Sequence, residues 1–184
     1  GMLREPVSSV KRADVVIVTK TPGDLPEQQM EEIRDELVAA GAGDSIFFTT
    51  LAYDRPRNLF TENTVEIGHD TSVLLVTGIA NPLPLTDYLS SITGVVTHIP
   101  FPDHHAYTAA DIARITEVFD AINSPDKIIV TTSKDGVRLK EITNIADHIR
   151  QALNYLPVRV QFIENEQLFL NKVYSYAGKD HQDR

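Results

Sequence analysis

The chain has 184 residues, with 17 Lys+Arg against 26 Asp+Glu for a formal charge of −9, and it contains no cysteine. That charge repels polyanions and argues against general nucleic-acid binding. The missing cysteines exclude disulfides, thiolate zinc sites and a cysteine nucleophile. Its apolar runs reach about six residues, far below the ~20 of a bilayer-spanning helix, so the composition is that of a globular chain able to bury its own core.

In chain order, strands are predicted at Asp14–Thr19, Ser45–Leu51, Ser72–Thr77, Gly94–Ile99, Lys127–Thr132 and Val158–Ile163. Val15 to Val18 and Val73 to Val76 are apolar on both faces, as in the middle of a covered parallel sheet. Between the strands run helical stripes. Met30, Ile33 and Leu37 form the first, with Gly41 as its stop. Tyr53–Thr64 is the longest connection without a period and has room for a small hairpin. Asn81-Pro82 opens a helix, and Thr108 with Asp111 three residues on opens another, striped by Ile112, Ile115, Phe119 and Ile122. Ile142, Ile145, Ile149 and Leu153 make a third stripe, and Glu166–Ala177 reads as a closing helix before a polar frayed tail, 178–184. The alternation implies an α/β fold, a three-layer α/β/α sandwich around one mostly parallel sheet of about six strands. It is Rossmann-like without a nucleotide fingerprint, with residues 13–177 as a single lobe.

Ligands of such sheets bind beyond the carboxyl ends of the strands. Four polar loops occupy such ends: Thr19-Lys20-Thr21, Thr77 to Asn81, Phe101 to His105, and Thr131 to Asp135. They are expected to converge on one rim. Asp103-His104-His105 ranks first, because histidine titrates near neutrality and a neighbouring carboxylate can orient it. The competing reading is that one of the pair packs or caps the following helix. Lys134 could hold a phosphate, against a plain Asp135-Gly136 turn. Gly78 and Asn81-Pro82 read as a tight turn and a helix cap that could receive an anion. Arg55 and Arg57 could grip phosphate, although loop arginines are commonly just solvated. No phosphate-binding loop, dinucleotide turn, nucleophile elbow or zinc-protease helix occurs in the sequence.

Together, Leu3-Arg4-Glu5-Pro6, Lys11 to Lys20, Thr77-Gly78-Ile79-Ala80-Asn81-Pro82, Phe101-Pro102-Asp103-His104-His105 and Thr131 to Gly136 resemble, in order and spacing, the C-terminal half of the tetraacyldisaccharide 4′-kinase family. The resemblance implies two α/β lobes joined by a hinge, with residues 1–12 as the hinge segment and the phosphate-binding loop in an N-terminal lobe outside this chain. The family is Gram-negative bacterial. It uses ATP and Mg²⁺ to phosphorylate the 4′-hydroxyl of a lipid disaccharide 1-phosphate in lipid A biosynthesis, at the cytoplasmic face of the inner membrane. By the same resemblance His104 is the catalytic histidine, with Asp103 beside it. Glu5 is a magnesium ligand and Arg4 a phosphate contact. Asn81 and Lys134 match motif positions without an assignable role and, with His105, Arg55 and Arg57, complete the candidate substrate-binding set. Ser133 departs from the family's usual Glu. The expected partners are the other lobe of the same protein, the lipid substrate and the membrane surface, with no nucleic acid. The chain alone is expected to bind no cofactor and to be inactive. Two rivals stay open: a non-enzymatic ligand-binding domain, and a metal phosphoesterase whose motif Asp103-His104-His105-Ala106 spells, although the aspartate pair such enzymes also need is missing.

Overall fold

The computed structural model describes residues 5–179. The chain folds as two compact units, one made of residues up to Ala52 together with those from Arg159 onward, the other of Tyr53–Val158. The α/β class and the parallel pairing follow the sequence pattern. The strands, however, divide between two sheets where the sequence suggested one.

The first unit opens with a 3₁₀ turn, Val7–Arg12. It then holds β1 (Val16–Val18), α1 (Glu27–Ala39), most of β2 (Ile46–Tyr53), and, from the returning chain, most of β8 (Val158–Phe162) and α6 (Glu166–Lys179). Their sheet has the order β1-β2-β8, with β1 and β2 parallel. Met30 of α1 with Ile33 and Leu37 packs on Ile46 and Phe48, so the first sequence stripe lies where its period put it. Gly41 ends α1 at φ 102°, a left-handed conformation that side chains with a Cβ disfavour. The Gly41 and Ala42 N–H groups donate to Val38 and Leu37 carbonyls and close the helix end. On β2, Phe47 meets Phe162 and Phe169 edge-on. Residues 180–184, the rest of the expected tail, lie outside the described residues.

The second unit holds β3 (Arg57–Asn58), β4 (Ser72–Thr77), α2 (Leu83–Ile92), β5 (Val95–Pro100), α3 (Ala109–Ala121), β6 (Lys127–Thr132), α4 (Ser133–Lys140), α5 (Asp147–Ala152) and β7 (Leu153–Leu156). The sheet order is β3-β7-β6-β4-β5. Its four longer strands are parallel, and the short β3 runs antiparallel to β7 at the edge. β4 is buried along its whole length, as a strand covered on both faces must be. Leu74 and Val76 face Ile112, Ile115, Phe119, Leu139 and Ile149 of α3, α4 and α5. Val73 and Leu75 face Leu85 and Leu89 of α2. Burying each of these side chains contributes roughly 1.5–3 kcal/mol.

Two features differ from the sequence reading and a third agrees with it. The stripe from Ile142 to Leu153 is not one helix: Ile142 and Ile145 lie in the connection after α4, Ile149 is in α5, and Leu153 begins β7. Tertiary burial of an apolar run outweighs its helical spacing here. Asp135-Gly136 is not a turn but the first turn of α4, capped by Thr132, whose hydroxyl accepts the Asp135 N–H at 3.0 Å. The connection after Tyr53 does contain a small pairing, with β3 and a single bridge between Arg57 and Thr64.

Candidate active site

Because β4, β5 and β6 are parallel neighbours, their carboxyl ends share one edge, and three of the four polar loops meet there. The Phe101 N–H donates to the Thr77 carbonyl at 2.7 Å, and the His104 N–H to the Gly78 carbonyl at 3.1 Å. The fourth loop, Thr19-Lys20-Thr21, ends β1 and belongs to the other unit. Three of the four loops therefore share the edge of this sheet, and the fourth follows a strand of the other sheet.

The floor of this edge is Asp135. Its side chain is fully buried at 0% exposure. One carboxylate oxygen accepts the Gly78 N–H at 2.9 Å and the Thr132 hydroxyl at 2.8 Å, and the other accepts Arg138 Nη1 at 3.2 Å. A buried carboxylate must be paired and hydrogen-bonded to be tolerated, and this one is both. Gly78 sits hard against it. A Cβ on Gly78 would lie 3.0 Å from Asp135 Oδ1, 3.2 Å from the Tyr107 hydroxyl and 3.3 Å from His105 Cβ. Burial, then the adjacent Asp135 charge, hold the Tyr107 phenol above its ordinary pKa.

The two histidines part company at once. His105 turns inward. Its ring stacks on Phe101 with centroids 4.6 Å apart and meets Tyr107 edge-on at 5.0 Å. Its Nε2 lies 3.0 Å from Asp111 Oδ2. Asp111 also accepts the Thr108 N–H and hydroxyl, both at 2.8 Å, while its own N–H donates to Thr108 Oγ1, forming a capping box at the start of α3. Burial opposes the Asp111 charge, but the Thr108 and His105 hydrogen bonds outweigh it and lower the carboxyl below its usual pKa. For His105 the structure therefore favours packing and capping over a substrate contact.

His104 turns outward, with its side chain 69% exposed. Its backbone sits at φ 62°, a sparsely populated region for a residue with a Cβ, held there by the bond to Gly78. Lys134 Nζ lies 3.2 Å from its Nε2 and Arg138 Nη2 lies 3.3 Å from its Nδ1. Asp103 is 3.7 Å from Nε2 and 3.5 Å from Lys134. A neutral imidazole has one accepting nitrogen, so only one of the two cations can donate to it at a time.

The remaining candidates are spread more widely. Exposed Asn81 accepts the Leu83 N–H at 3.3 Å at the start of α2. Arg55 pairs with Glu66 at 2.6 Å, both well exposed. Arg57 is exposed on β3, beside Tyr155 and Glu62. None of these three contacts His104 in the hydrogen bonds or ion pairs described. Glu5 accepts the Ser9 hydroxyl at 3.2 Å and faces Arg12 at 3.8 Å, and it lies in the first unit. Arg4 lies outside the described residues. Among the described residues no three acidic or histidine side chains gather as a metal would need.

Two site residues were overlooked in the sequence. Asp135 was legible as a helix start, because Thr132-x-x-Asp135 has the capping spacing. Once that helix is placed, Arg138 falls four residues after Lys134 on the same face.

Residues 1–175 match the family model described as tetraacyldisaccharide-1-P 4′-kinase. Curated relatives named tetraacyldisaccharide 4′-kinase include one from Phocaeicola vulgatus, 33% identical over 98% of this chain and 50% of its own length. Another, from Flavobacterium johnsoniae, is 35% identical over 98% of this chain and 49% of its own length. The chain thus spans about half the length of the curated relatives it matches. A crystal structure of LpxK from Aquifex aeolicus, in complex with ATP, has a similar fold, with a TM-score of 0.57 and 20% identity over 94% of this chain and 45% of that one.

Proposed function

Because the chain belongs to the tetraacyldisaccharide-1-P 4′-kinase family, we propose that it is the part of such a kinase that presents His104 to the acceptor hydroxyl of a lipid disaccharide 1-phosphate. The nucleotide-holding part then lies in the remainder of the protein. The observation that carries this reading is His104 itself: exposed, fixed at positive φ on the carboxyl edge of a parallel sheet, and flanked by two cations. Backbone held in a sparsely populated region clusters at functional positions.

The residues divide the work by their surroundings. The accepting ring nitrogen of His104 takes the proton of the sugar hydroxyl as its oxygen attacks phosphorus, and Asp103 steadies the ring and Lys134. Lys134 supplies positive charge for a phosphate oxygen. Asn81, at the end of the β4 loop, lies on the same sheet edge and would meet polar groups of the substrate. Arg55 and Arg57 would act only as peripheral contacts. ATP, when bound by the whole protein, supplies the phosphoryl group. The charge at the edge, Lys134 and Arg138 beside His104, suits anionic oxygens, so the donor set fits a phosphate. Glu5 accepts from Ser9 and faces Arg12, and among the described residues no three acidic or histidine side chains gather to complete a magnesium site. If Glu5 contributes to a metal site, the other ligands come from elsewhere in the protein. In this reading the whole enzyme works where its lipid substrate is, at the cytoplasmic face of the inner membrane.

The test is His104→Ala in the whole protein, assayed with ATP and tetraacyldisaccharide 1-phosphate. General-base catalysis contributes about 10²–10⁴-fold, so kcat should fall by that factor with folding intact. An unchanged kcat refutes the role. The chain alone should transfer no phosphate, and turnover by it would refute the division of the site.

A further inference from the structure

We propose that Arg138 is an anion-binding residue of this site, forming with Lys134 a two-cation clamp for one phosphate group, and that filling the clamp unmasks His104. The proposal deepens the kinase reading and rests on it for the role of His104; the binding step stands on the geometry alone.

Arg138 is unlike the other arginines of the second unit. Its Nη1 is anchored on Asp135, fully buried, at 3.2 Å, and its side chain is 24% exposed. One edge of the guanidinium is therefore committed inward, and the Nη2 edge is held at the surface, 3.3 Å from His104 Nδ1. An arginine oriented by a buried carboxylate has already given up much of its rotamer freedom, so less is lost when it binds an anion. Lys134, one helical turn earlier on α4, reaches the same imidazole from the other side, 3.2 Å from Nε2.

Both ring nitrogens thus face cationic donors in the free protein. An imidazole nitrogen that accepts from Arg138 or Lys134 has no lone pair left for a hydroxyl proton. A phosphate dianion offers both cations a better acceptor, since it adds the attraction of opposite charges to the hydrogen bond, which a neutral imidazole cannot. Seating a phosphate there draws the Arg138 Nη2 and Lys134 Nζ donors off the ring and leaves one nitrogen accepting. The base becomes available only when an anionic group is in place. No covalent change is involved. The phosphate has two sources in this chemistry, a sugar phosphate or a nucleotide, and competition separates them.

The experiment uses the full chain with ¹⁵N-labelled histidine, titrated with inorganic pyrophosphate while the His104 ring nitrogen shifts are followed. Expected are saturable shifts at His104, affinity lowered at least tenfold in Arg138→Gln, and no change in Lys140→Gln. Lys140 carries the same charge on the same helix but faces Glu62 at 3.5 Å. Arg138→Lys, which keeps the charge and loses the fixed fork, should fall between them, and it stands in if the glutamine variant unfolds. Glucosamine 1-phosphate or ATP should displace pyrophosphate, and the stronger competitor names the source. Absence of His104 shifts, equal loss in Arg138→Gln and Lys140→Gln, or competition by neither compound overturns the clamp. If the clamp binds but His104→Ala leaves kcat of the whole protein unchanged, the kinase role of His104 fails while the anion site stands.

Discussion

His104 and His105 are neighbours in sequence and opposites in surroundings. His105 is held by ring contacts with Phe101 and Tyr107 and by Asp111, with only 24% of its side chain exposed, whereas His104 keeps 69% exposed and its ring lies beside Lys134, Arg138 and Asp103. The same division runs through the whole edge. Below lies a packed floor of Asp135, Gly78, Tyr107 and His105; above lies a solvated rim of Asp103, His104, Lys134 and the outer edge of Arg138. Residues of the floor should govern stability and those of the rim should govern binding and chemistry, although they sit side by side.

The sharpest way to break that division is Asp135→Ala. Removing one partner of a buried ion pair costs roughly 3–5 kcal/mol, and the solvent-reachable Arg138 puts the loss toward the lower end. Urea unfolding of the chain should show it, and a loss below about 1 kcal/mol, the worth of one ordinary hydrogen bond, would mean the floor is not held by Asp135. Gly78→Ala comes next. The added methyl meets Asp135 Oδ1 at 3.0 Å and the Tyr107 hydroxyl at 3.2 Å, and overpacking of this kind costs about 1–3 kcal/mol. Thermal unfolding measures it; an unaltered Tm would show that the floor yields easily.

The smallest effect sharpens the comparison at the histidines themselves. Thr108→Ala removes the cap of α3 and should cost about 1 kcal/mol by denaturant unfolding, with no change in the His104 ring shifts. The carboxyl it serves gives the effect a pH signature. The Asp111 pKa is lowered in the folded chain, so its stabilisation is present above the unfolded carboxylate pKa and is lost as pH falls through the folded value. Stability of the parent chain should therefore drop more steeply than that of Thr108→Ala in the acid range below the ordinary aspartate pKa. Parallel profiles for the two would show that Thr108 does not set the Asp111 charge.

Much of the second unit was legible because its signals are local. The strands Ser72–Thr77 and Lys127–Thr132 are bounded as the apolar runs suggested, and Thr108 with Asp111 opens α3 as the capping spacing requires. What failed was decided by long-range pairing. Leu153 continues a helical stripe in sequence, yet it enters β7 because Ile129 of β6 offers a parallel ladder. Nothing local separates β1 and β2 from the strands that follow, so their membership of a second sheet had no signature. At the site, His104 was singled out by composition and resemblance, but the opposite fates of the two histidines depend on Phe101 and Tyr107 closing over His105. Arg138 has no signal of its own while Asp135-Gly136 admits a turn, since only the helix α4 brings it to the same face as Lys134.

One carboxylate, Asp135, holds the loop after β4 directly through Gly78 and the start of α4 through Thr132, and Gly78 in turn holds the loop after β5 through its carbonyl. Three segments that are distant in sequence therefore share a single fastening point. A displacement of any one is passed to the other two, so the edge moves as a unit or not at all. Divergence in what it binds has to come from the outward-facing positions, because no loop can be re-cut without loosening its neighbours.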